Sequence, residues 1–231
     1  MTAEPVSIPL GDGERVSGLW QAPAGASACI VLGHGAGVGM AHRSMQSLAG
    51  GLAAHGIASL RYQFRYMERG EGRVDPATVA HAVVRAAVLA ARERAGSMPL
   101  FAGGRSFGGR MTSQAQAIQP LEGVLGLVFF AFPLHPAGRP SIDRAAHLDK
   151  VTVPMLFLQG TNDALAELGL LRQVIDRLGP RAKLMLAEAA DHSFHAPARS
   201  GRKDAQVLAE LLDAAAAWMA EVGASGPTST R

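Results

Sequence analysis

A single cysteine, Cys29, stands in the whole sequence, so no disulfide can form within the chain. Its place in an apolar run marks a buried structural thiol and fits a reducing cytoplasm. No stretch approaches the ~18 unbroken apolar residues of a membrane span, which excludes a membrane helix. The opening residues Met1-Thr-Ala-Glu-Pro5 have neither a basic segment nor an apolar run, so no secretory signal is expected and the expected location is cytoplasmic. The net charge of +3 is small and its arginines are scattered, without a Lys/Arg run or interleaved aromatics, so nucleic acid is not an expected partner. No histidine pair stands at metal-ligand spacing with a carboxylate, so no metal is expected. No internal repeat interrupts the chain.

What is present is a sequence built to bury a core. Hydrophobic residues make up 48% of the 231 and charged residues 18%, enough apolar surface for one domain over residues 1–222. The tail from Gly223 to Arg231 has no apolar periodicity and is expected to be mobile. Strand-length apolar runs recur at Ala28–Leu32, Ile57–Tyr62, Leu100–Ala102, Val124–Phe130, Val153–Leu158 and Lys183–Ala187. Several are too continuous for a sheet with one wet face. Helical stretches at Ala77–Arg94, Leu165–Leu178 and Asp204–Val222 separate them, the first entered through an Asp75-Pro76 cap. Strict alternation implies right-handed crossovers and a doubly wound α/β fold, a mostly parallel sheet flanked by helices. Segments near Val6–Leu10 and Arg15–Leu19, joined through Gly11-Asp-Gly13, read as an antiparallel hairpin at the sheet edge.

After the strand Leu100–Ala102 comes Gly103-Gly-Arg-Ser106-Phe-Gly-Gly109, with a helix expected from Arg110. Gly104-x-Ser106-x-Gly108 at a strand-to-helix turn is the pattern of an exposed nucleophilic serine. The serine backbone there is strained, and side chains two residues to either side would collide with neighbouring elements. The amide of Phe107 then faces a developing oxyanion at the helix N-terminus. The first parallel strand runs into Gly33-His-Gly-Ala-Gly-Val-Gly39, whose few side chains free its amides to face a ligand. Ala36 is the expected second donor, with Gly37 next. No register of this loop completes Gly-x-Gly-x-x-Gly, and no acidic residue stands at the ribose position, so no dinucleotide or other cofactor is expected.

Asp163 closes Gln159-Gly-Thr-Asn-Asp163 at the carboxyl edge of the sheet, ahead of Glu167 and Asp191 as the acid. His192, in Asp191-His-Ser-Phe-His195 after the last strand, is the expected base, with His195 its competitor. The order Ser106, Asp163, His192 is the one an α/β sheet needs to bring hydroxyl, imidazole and carboxylate together. His34, Arg61, Arg65 and Arg105 lie in or beside these loops and are candidates for substrate contact, the arginines for an anionic group.

These residues resemble the α/β-hydrolase superfamily, and in particular the group containing testis-expressed protein 30 and subunit 3 of the NSL complex. The likeness is carried by His34-Gly-Ala-Gly37, Arg61-Tyr-Gln-Phe-Arg-Tyr66, Gly104-Arg-Ser-Phe-Gly108, Phe132-Pro-Leu-His-Pro136, Gln159-Gly-Thr-Asn-Asp163 and Asp191-His-Ser-Phe194. It implies a catalytic fold with Ser106, Asp163 and His192 at the matched positions. Dienelactone hydrolases are similar in size but use a cysteine nucleophile, from which Ser106 departs. The expected activity is cleavage of a small carboxylic ester or thioester through an acyl-enzyme. Some members of the group serve as scaffolds, so a silent binding protein is the alternative. With only about twenty residues between Phe130 and Lys150, no large lid is expected.

Overall fold

The computed structural model describes residues 2–225. Its sheet has eight strands in the spatial order β1 (Glu4–Pro9), β2 (Arg15–Gln21), β4 (Ile57–Tyr62), β3 (Ala28–Gly33), β5 (Leu100–Arg105), β6 (Val124–Phe130), β7 (Met155–Gly160) and β8 (Ala182–Ala187). β1–β2 and β2–β4 are antiparallel, and the remaining pairs are parallel. Of the amino-terminal hairpin only β1 is an edge strand. β2 lies one place inside it, because Gly18 to Gln21 pair with β4.

The continuous apolar runs have a direct cause in the two-residue period of a strand. Along β3, Cys29 and Val31 face one side and Ala28, Ile30 and Leu32 the other. In β6 and β7 the same division sends Leu127, Phe129, Met155 and Phe157 one way, and Val128, Phe130, Leu156 and Leu158 the other. Both faces are covered. α1 (Arg43–Ala54) and α6 (Asp204–Ser225) pack on one through Leu48, Leu52, Leu211 and Trp218. α3 (Ala77–Ala95), α4 (Phe107–Ile118) and α5 (Leu168–Leu178) cover the other through Val83, Met111 and Leu171. Each large side chain so buried contributes about 1.5–3 kcal/mol. Burial also pushes the Cys29 thiol up to about 12, which keeps it protonated.

Several boundaries move for identifiable reasons. β7 begins at Met155, because Pro154 has no amide to give to the ladder. α5 starts at Leu168, where Glu167 accepts from the amides of Gly169 (3.0 Å) and Leu170 (2.8 Å). Asp75 does not cap α3. Its carboxylate turns back to the Tyr66 amide (3.0 Å) and Arg69 (3.1 Å), and Pro76 occupies the cap position. A short helix α2 (Arg65–Glu68) precedes it. α6 continues to Ser225, three residues into the expected tail, and residues 226–231 of that tail lie outside the described residues. Residues 131–142 and a 3-10 turn, Asp143–Lys150, join β6 to β7, so no lid covers the sheet edge. Among the described residues, no helix is long and apolar enough to cross a membrane.

Candidate active site

β5 runs three residues further than its apolar core, through Gly103 and Gly104 to Arg105, and α4 begins at Phe107 rather than Arg110. Ser106 is the single residue between them, at φ 50° and ψ −113°. That conformation costs a non-glycine residue about 1–3 kcal/mol. The surrounding contacts hold it: the Ser106 amide donates to Phe130 O (3.0 Å), and its carbonyl accepts from Arg110 N (3.1 Å). The two flanking glycines are there for space. A methyl group on either Gly104 or Gly108 would run into the backbone of Gly33 on β3. The Ser106 turn and the first parallel strand therefore touch main chain to main chain.

The hydroxyl of Ser106 lies 2.8 Å from His192 Nε2, and His192 Nδ1 lies 2.7 Å from Asp163 Oδ2. Asp163 is 4% exposed and its oxygens are otherwise occupied: Oδ1 accepts from Leu165 N (2.8 Å), and Oδ2 from the side-chain amide of Gln159. Gln159, wholly buried, is itself fixed by accepting from Phe132 N (2.8 Å). An acceptor-only carboxylate at Nδ1 favours the imidazole proton there and leaves Nε2 to accept the hydrogen bond of the Ser106 hydroxyl. Asp191 orders the histidine loop by accepting from Ser193 N (2.7 Å) and His195 N (3.0 Å). Asn162 N donates to Ala190 O (2.9 Å), stitching the Asp163 loop to the His192 loop. His195 turns outward to Asp204 (3.0 Å), which separates it from the serine.

The loop at 33–39 passes beside Ser106: a Cβ on Gly35 would lie 3.8 Å from the Ser106 Cβ. The amides of Ala36 and Phe107 have no acceptor among the described residues. Gly37 follows Ala36 in the same loop, at φ 73°. Burial raises the Tyr66 phenol pKa and the Gly37 amide opposes that rise, although no well-formed hydrogen bond joins the two.

Three of the expected substrate contacts are spent on the protein itself. His34 is wholly buried, with Nδ1 2.9 Å from Gly35 O and Nε2 accepting from Phe64 N (3.1 Å). Arg61 is 3% exposed and donates to Met40 O (3.2 Å). It shares a strand face with Ile57 and Ser59, and so lines a separate cleft with Leu19 and Gln46. Arg65 is held by Asp12 and Glu14 of the β1–β2 turn. Only Arg105 stays beside the site, donating to His192 O (3.2 Å) and Ser44 Oγ (3.3 Å).

A family profile described as an alpha/beta hydrolase domain matches residues 26–220. The chain belongs to that family. Among solved structures, this α/β hydrolase is similar to a serine hydrolase homologue from Coxiella burnetii, at 20% identity and a TM-score of 0.74, covering 93% of this chain and 98% of that one. A dienelactone hydrolase from Anabaena variabilis matches at 19% identity and a TM-score of 0.77, over 95% and 97% of the two chains. A lidless α/β serine hydrolase from Xanthomonas campestris matches at 20% and 0.70, over 94% and 95%. Among the described residues of the hydrolase, no cluster of His, Cys, Asp and Glu could hold a metal ion.

Two features of the hydrolase escape a reading by motif. Gln159 lies four residues before Asp163 and signals nothing alone, because its role depends on a neighbouring strand. His34 looks like a ligand and is a brace, tying the 33–39 loop to Phe64. Its pKa is pushed down to about 4, chiefly by burial, against the Gly35 carbonyl and Asp75. The unfolded chain protonates this residue near its ordinary value of 6.5. The stability it gives is therefore complete above pH 6.5 and is lost as pH falls toward 4, by about 3 kcal/mol at most. Wild type is expected to melt about 5 °C lower at pH 5 than at pH 7 from this residue alone. His34→Gln should shrink the difference by that amount, and an unchanged difference would place the acid sensitivity elsewhere.

Proposed function

We propose that this α/β hydrolase is a serine hydrolase that cleaves a small carboxylic ester or thioester through an acyl-enzyme, with residues 1–222 as its one catalytic domain. The observation that carries the reading is the unbroken chain from Ser106 Oγ through His192 to Asp163, at 2.8 and 2.7 Å. Ser106 Oγ attacks the carbonyl carbon as His192 Nε2 takes its proton, and Asp163 stabilises the imidazolium and keeps its orientation. The amides of Phe107 and Ala36, with Gly37 as the weaker alternative, receive the oxyanion. Removing one such donor costs about 3 kcal/mol of barrier. The imidazolium returns its proton to the leaving alcohol or thiol, and a water deprotonated by the same nitrogen releases the acid. The cycle requires neither metal nor organic cofactor. The open sheet edge favours small or extended substrates in a cytoplasmic setting. The narrower kinship with the testis-expressed protein 30 group rests on the six sequence motifs.

A fluorophosphonate probe tests the assignment. Wild type is expected to become labelled at Ser106, and Ser106→Ala to stay unlabelled. A folded wild-type sample that resists the probe would favour the alternative, a silent binding or scaffold protein. A panel of short and long p-nitrophenyl esters would then define the acyl length.

A further inference from the structure

We propose that the cleft lined by Arg105, the residue before Ser106, holds an anionic group of the substrate, such as a carboxylate, with Arg105 as its principal ligand and Arg43 at the rim. The inference rests on the serine-hydrolase reading of Ser106 and adds the class of substrate. The cleft, of about 570 Å³, lies between the first turns of α1 and α6 and the histidine loop, and Arg43, Ser44, Arg105, Ser193, His195 and Asp204 line it. That volume suits a small organic molecule. Arg105 precedes Ser106 in the chain and donates to the His192 carbonyl (3.2 Å), so this arginine links the cleft to the residues around the reacting hydroxyl.

Arg105 keeps unused donors in this cleft. A guanidinium has five N–H donors, and Arg105 uses two, both on neutral oxygens at 3.2–3.3 Å. No carboxylate lies within ion-pair distance of it among the described residues. Burial lowers its pKa, while Asp191 and Asp163 act on it only from further away. The acids nearby are already engaged. Asp163 serves His192, Gln159 and Leu165; Asp191 serves the histidine loop; Asp204 binds His195 and the Ala196 amide. α1 adds positive potential, because its first turn has no acidic residue and places Arg43 at the positive end of the helix dipole. A cation there is locally unfavourable, and beside a half-buried arginine doubly so. A carboxylate accepting two N–H groups from Arg105 would satisfy both.

The plain alternative is that Arg105 is only a clamp on the histidine loop. Calorimetry on Ser106→Ala, which keeps the cleft and prevents turnover, separates the two with monomethyl glutarate and methyl pentanoate as probes. The charged ester is expected to bind at least about tenfold more tightly. Adding Arg105→Gln should remove most of that preference while leaving the neutral ester within about twofold. Arg43→Gln, on an exposed side chain that does not threaten folding, should weaken the charged ester alone by about threefold. Equal binding of the two esters, no binding of either at millimolar concentration, or equal losses on both in Arg105→Gln would each overturn the proposal. Because no turnover is measured, these outcomes are independent of probe labelling. A protein that binds the anion yet resists the fluorophosphonate would lose the reaction and keep the cleft.

Discussion

Ser106→Ala is expected to lower turnover of a p-nitrophenyl ester by about 10⁶-fold, because serine and imidazole act as one unit and neither retains much without the other. The same position makes a second, opposite prediction about stability. Its backbone sits at φ 50°, a region where a Cβ is strained and glycine is not. Ser106→Gly should therefore be as inactive as Ser106→Ala but more stable by about 1 kcal/mol, or about 2–4 °C in melting temperature for a domain of this size. Equal melting of the two variants would show that the turn stores no strain. Residual hydrolysis within tenfold of wild type in either would remove Ser106 from the mechanism.

The largest expected loss of stability lies two residues to either side. Gly104→Ala and Gly108→Ala each place a methyl group against the main chain of Gly33, which has no flexible side chain to yield. Each should cost more than about 4 kcal/mol and appear as aggregation or a melting temperature lower by more than about 10 °C. Gly50→Ala on α1 is the control. A Cβ there meets nothing within 4 Å, so the substitution should be stabilising by about 1 kcal/mol through helix propensity. Thermal melts of the three variants decide the matter. A Gly108→Ala protein that melts with wild type would mean that β3 and α4 can part freely.

The sheet was legible because strands buried on both faces leave continuous apolar runs, and five of its six parallel strands begin within a residue of where those runs begin. The positions of Ser106, Asp163 and His192 were legible for a related reason: each follows a strand at the same edge, so chain order alone brings them near one another. α1 was not among the clearest helical stretches although Met45, Leu48, Ala49 and Leu52 form its buried stripe, because Gly50-Gly51 lowers the local helix propensity. The arginines misled for two different reasons. Arg61 sits near the site in sequence, but strand parity turns it to the α1 face. Arg65 finds its carboxylates, Asp12 and Glu14, in the distant β1–β2 turn, a pairing that no local pattern encodes. Asp75 has the composition of a cap and is recruited instead by Tyr66 and Arg69, a tertiary demand that outweighs helix-start preference.

The strand order has a consequence for how such a molecule wears out. Ser106 is anchored in the middle of the sheet, between β3 and β6, whereas Asp163 and His192 ride on β7 and β8, and β8 is an outermost strand with most of its side chains half-buried. The Asp163 and His192 loops are sewn to each other by Asn162 and Ala190, so a fraying margin would carry both side chains away together and leave Ser106 behind in an intact centre. Heat should silence the molecule through its border while the interior is still whole.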